Sequence, residues 1–132
     1  MIAAEALSQL AARLTEALHH PVELGTGATV EGPVLRITVH SMQPVPDVSK
    51  MTGRHVADQK STLSWVLQLL LKGEAEGVLA RARLVEAAAS DIDSRPVLGA
   101  EGWRADMALE TDPEWARGDG PAVGVRLRVA LA

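Results

Sequence analysis

Every second residue from Val123 to Leu131 is apolar: Val123, Val125, Leu127, Val129 and Leu131, with Gly124, Arg126 and Arg128 between them. A period of two belongs to a β-strand, whose successive side chains leave on opposite faces. Such a segment buries one face and exposes the other. The chain therefore needs a sheet, and the sheet needs a second layer to cover its apolar side.

Three further segments share the pattern. In PVLRITVH, Leu35, Ile37 and Val39 face one way and Arg36, Thr38 and His40 the other. This strand is expected to reach Met42, until Pro44 and Pro46 interrupt the ladder. STLSWVLQLLLKG sets Leu63, Trp65, Leu67, Leu69 and Leu71 on one side, with Gly73 as its stop; a helix is the competing reading, because leucine has good helix propensity, and the alternation favours the strand. Trp103, Ala105, Met107 and Leu109 alternate with Arg104, Asp106 and Glu110. From there TDPEWARGDGP leads to the last strand; it is turn chemistry, longer than a tight hairpin requires.

Two segments of helical period supply the cover. From Ile2 to His19, Leu7, Leu10, Leu14 and Ala17/Leu18 share one face, and Glu5, Gln9, Arg13 and Glu16 the other; Pro21 ends the helix. Glu74–Asp93 reads as a second helix with a narrow stripe of Val78, Ala82, Val85, Ala89 and Ile92. Glu74 and Glu76 then fall in its first turn, where the helix dipole favours acids. Val22–Gly32 reads as a short extended piece within a loop, and Val45–Lys60 sustains no period and reads as a long connection. The expected fold is one α+β domain over residues 1–132, in the order α-β-β-α-β-β. Its sheet is four-stranded and mostly antiparallel, with both helices on one face.

Composition removes several function classes. With 132 residues and 47% apolar content the chain can bury a core. A net charge of −4 argues against a basic nucleic-acid-binding face and against docking on anionic membranes. The absence of cysteine removes disulfides, thiolate metal sites and a cysteine nucleophile. MIAAEALSQLAARL lacks the basic start and apolar run of a signal peptide, and the apolar stretch Leu63–Leu71 is too short for a membrane-spanning helix. Three Trp with no Phe or Tyr cannot furnish a base-stacking platform. Trp65 and Trp103 are in phase with core positions, which leaves Trp115 as the expected exposed anchor.

No residue set reads as catalytic, cofactor-binding or metal-binding. His19, His20, His40 and His55 show no ligand spacing. Asp91 and Asp93 close a helix, and Glu110, Asp112, Glu114 and Asp119 lie in polar turn sequence, a solvated setting. The serines include no GxSxG elbow. Gly25-Thr26-Gly27 is too short to cradle a phosphate. For a small cytosolic ligand-binding domain or enzyme, His40, His55 and Arg36 are the only plausible nucleus.

The order of segments is informative in itself. IAAEALSQLAARLTEAL, PVLRITVHSMQ, STLSWVLQLLL, GVLARARLVEAAASDI, and finally WRADMALE with GPAVGVRLRVAL together resemble the tail terminator family of long-tailed phages, whose type case is the phage lambda tail terminator. Cap proteins of contractile injection systems are similar. The resemblance implies a non-enzymatic structural protein without cofactor or metal, assembled in the bacterial cytoplasm into a virion tail or injection particle. It implies a homo-hexameric ring on the end of the tail tube that stops polymerisation and offers a joining surface to neck, head or sheath. DNA passes through such a ring without specific binding, and no membrane is involved. Another head–tail joining or neck protein is the nearest alternative. A ring needs a head-to-tail interface. The alanine-rich second helix and the polar sheet face are the candidates for it. Lys50, Met51, Arg54 and His55 on the long loop, Trp115 in the late turn, and Arg126 and Arg128 on the last strand are the candidate contact residues.

Overall fold

A computed structural model describes residues 2–25, 32–46, 63–110, 115 and 120–131. Among these lie two helices, α1 (Ile2–Leu18) and α2 (Val78–Ser94). The strands are β1 (Val22–Leu24), β2 (Val34–Pro46), β3 (Leu63–Glu74), β4 (Val97–Ala100), β5 (Trp103–Glu110) and β6 (Ala122–Leu131). They form one sheet in the order β1-β2-β3-β6-β5-β4. The class is α+β, but the sheet has six strands and is mixed, not four and mostly antiparallel. The four expected strands form its antiparallel centre. β1 adds to β2 in parallel and β4 to β5 antiparallel. These edge strands have three and four residues, too few for an alternation to show.

Alternation sorts the two faces of the sheet. On the inner face the register lines up Leu67, Leu127 and Met107 in one row and Leu69, Val125 and Leu109 in the next. Onto these pack Ala3, Ala6, Leu10, Leu14 and Leu18 from α1 and Leu84, Val85, Ala88 and Ile92 from α2. Each fully buried Leu or Ile stabilises the fold by about 1.5–3 kcal/mol. Alanines at the contact let the helix backbones lie close. Trp103 is buried in this core, whereas Trp65 packs against it half-buried.

α2 starts later than its acids suggest. Glu74 is the last residue of β3, and Gly77, at φ 87°, precedes the first helical residue, Val78. The buried stripe shifts in consequence: Val78 is exposed, Ala82 and Ala89 are half-buried, and Leu84 and Ala88 face the sheet. Gly73 does not stop β3. A Cβ at that position would collide with the Arg81 carbonyl oxygen, so its missing side chain admits the first turns of α2. α1 ends at Leu18, where His19 adopts φ 57° and its N–H donates to Thr15 O at 3.0 Å.

Pro44 and Pro46 do not interrupt β2. They stay in register opposite Trp65 and Leu63. A proline fits a ladder where its nitrogen faces away from the paired strand, and two prolines two residues apart both meet that condition. The only shift in the β2–β3 register lies between Val39 and Ser41, where a bulge leaves His40 unmatched.

Candidate functional site

The outer sheet face has no helix over it among the described residues. Its central rows follow from the register. Ser41, Gln68, Arg126 and Ala108 form one, and Gln43, Val66, Arg128 and Asp106 the next. Ser41 Oγ and Gln68 Oε1 are 2.7 Å apart, and Ser64 Oγ donates to Val45 O at 3.0 Å. Arg104 holds Asp106 at 3.2 Å in an exposed pair. Arg126 and Arg128 are exposed and have no ion-pair partner among the described residues. With Val66, Asp106 and Ala108 they line a hollow of about 300 Å³.

At one end of this face Arg36 is buried, although its place in the alternation suggested exposure. Its Nε and Nη2 donate to Glu74 Oε1 and Oε2 at 2.7 and 3.2 Å, and Nη1 donates to Gly25 O at 2.6 Å. The fork ties the ends of β2 and β3 to the residue after β1. Hydrogen bonding from Arg36 holds the Glu74 carboxyl below its ordinary value, against the opposing effect of burial. The bond to Glu74 raises Arg36 in turn.

The sequence candidates separate. Arg126 and Arg128 stand side by side on the outer face. Trp115 is half-buried rather than free, and stacks on His40. Lys50, Met51, Arg54 and His55 lie outside the described residues. Of the alternative nucleus, Arg36 is committed to Glu74 and Gly25, His40 to Trp115, and His55 is outside the described residues. Among the described residues no group of three or more His, Asp or Glu is disposed to hold a metal ion. No helix there is long and apolar enough to cross a membrane.

Sequence reasoning missed the use made of α1's polar face. Gln9 and Arg13 reach the outer edge of β4, and Arg13 Nε also pairs with Asp91 Oδ2 at 3.1 Å. Arg95 occupies the other oxygen of that carboxylate. Nothing in the helical period distinguishes these contacts from ordinary solvation. A scan against protein-family models gives no match, and a search of curated proteins gives no relative.

Proposed function

We propose that this chain is a structural protein of the tail terminator kind. It forms a ring on the end of a tail tube, ends tube growth and presents a joining surface to neck, head or sheath. The observation that carries the reading is a sheet covered by helices on one face, with a charged second face that no helix covers among the described residues. A protein whose work is contact needs such a surface, and no cluster of convergent titratable groups competes for the role among the described residues. The segment order on which the resemblance rests supports it as well, because β1 and β4 are short additions at the two sheet edges. The partners are then further copies of the chain, the tube protein and a neck or sheath protein. The particle is a virion tail or an injection machine, with DNA traversing the ring in the phage case.

The test is the mass of the purified protein in solution, alone and with tube protein, combined with tube length by electron microscopy. A closed oligomer and tubes of arrested length are expected. A strictly monomeric species in both conditions overturns the reading.

A further inference from the structure

Charge is sorted by layer in this protein. The described residues hold eleven acids and nine bases. The outer sheet face takes five of the bases, Arg36, Lys72, Arg104, Arg126 and Arg128, and four of the acids, Glu23, Glu74, Asp106 and Glu110. That leaves seven acids against four bases on the remaining described residues. Two of the four acids on the sheet face are already engaged by Arg36 and Arg104. Among the described residues the face thus carries one net positive charge and the rest three negative ones, and Arg126 and Arg128 stand side by side on it.

The outward side of α2 carries two acids, Glu86 and Asp93, against one exposed base, Arg83. Leu79, Glu86 and Asp93 recur at seven-residue steps, which aligns them along one line of the helix. All three are exposed, and Leu79 retains 69% of its accessible surface, a large apolar side chain without cover. Ala87 and Ser90, between the two acids, are exposed and small, so a second surface can approach the helix backbone closely.

We propose that the outer sheet face docks α2 of a second copy of this chain. Glu86 of one copy pairs with Arg126 of the next and Asp93 with Arg128, which brings Leu79 toward the end of that face where Leu70 lies. The planar guanidinium matches a carboxylate in a two-pronged hydrogen bond, which gives the contact direction as well as attraction. The acids are about 10 Å apart along the helix and the arginines about 7 Å apart along the strand, a difference that long side chains span. The two surfaces are different patches, so the contact is head-to-tail and repeats until it closes. The proposal rests on the ring reading for that closure.

The test compares wild type, R126E/R128E, E86R/D93R and an equal mixture of the two variants by sedimentation and native mass. Wild type is expected to assemble at low salt and to dissociate as salt rises. Each variant alone is expected to be monomeric, with an unchanged circular dichroism spectrum. The mixture is expected to regain the assembly, because every contact is then complementary again with reversed signs in alternate copies. Assembly of R126E/R128E at the wild-type mass overturns the docking and leaves the ring reading intact. Failure of the mixture to reassemble overturns α2 as the occupant. A monomeric wild type, alone and with tube protein, removes the ring reading and the proposal together. Should the double variants unfold, R126E and E86R carry the same comparison.

Discussion

Gln9 and Gly99 are joined by two hydrogen bonds. Gln9 Nε2 donates to Gly99 O, and Gly99 N donates to Gln9 Oε1, both at 2.8 Å. The side-chain amide thus occupies the place of a neighbouring strand at the edge of β4. Arg13 Nη1 adds a contact to Val97 O at 3.3 Å. An edge strand with unpaired backbone groups is a template for unwanted pairing, and here a helix closes it.

Q9A removes that closure. Loss of two exposed hydrogen bonds is expected to cost about 1 kcal/mol. The sharper measure is amide exchange. The Gly99 N–H is expected to lose its protection while core amides of β3 and β6 keep theirs. Unchanged protection at Gly99 would show that Gln9 does not hold the edge in solution.

G73A tests the seat of α2. The added methyl meets the Arg81 carbonyl, and backbone cannot yield as a flexible side chain can. Overpacking of this kind typically costs 1–3 kcal/mol, so about that loss is expected in urea denaturation. A neutral result would mean that α2 shifts freely on β3.

Glu74 brings a pH dependence of known sign. Its carboxyl titrates lower in the folded protein than its ordinary value of 4.5, chiefly through the Arg36 hydrogen bond. The pair's contribution is therefore complete above the unfolded value and is lost as pH falls through the folded value. E74Q is expected to flatten this acid limb. It is also expected to lower stability near neutrality by about 1–3 kcal/mol, because Arg36 stays buried with a weaker partner. An acid limb identical in wild type and E74Q would remove the pair from this role.

The stack of Trp115 on His40 is open to a double-mutant cycle. The rings are 4.4 Å apart between centroids with 13° between planes, and β3 separates β6 from the strand that carries His40. H40A and W115A are expected to be non-additive by about 0.5–1.5 kcal/mol in thermal or chemical unfolding. Additive losses would show that the contact carries no energy.

In the core, L127A removes a fully buried side chain from the central row of the sheet. A loss of about 2–5 kcal/mol is expected by equilibrium denaturation. A loss under 1 kcal/mol would show that the central row is less tightly packed than its burial indicates.

What the sequence made legible follows from length and period. β3, β5 and β6 each alternate over eight or more residues, and their inner faces were identified residue by residue. α1 was legible for the same reason. β1 and β4 are shorter than one recognisable repeat, so only pairing with longer neighbours defines them. The start of α2 is hidden in the sequence because Glu74 and Glu76 look like a first helical turn. Glu74 instead answers to Arg36, 38 residues earlier, a relation that no local window contains. The tolerance of β2 for its prolines is hidden for a related reason. Their effect depends on which side of the strand carries the neighbour, and sequence does not state that. Arg126 and Arg128 were placed correctly by alternation alone, whereas the engagement of Trp115 by His40 needed the bulge in β2.

Pro44 and Pro46 have a further consequence. Wherever β2 turns its outer side to solvent or to another molecule, two successive donors are missing. With Gln9 clasping the margin at β4, these two stretches of edge resist extension by backbone pairing. Overgrown material from this protein would therefore repeat at the spacing of whole subunits rather than at the 4.8 Å of stacked strands. Fibre diffraction of such material would lack the cross-β reflection, and amyloid dyes would stay dark.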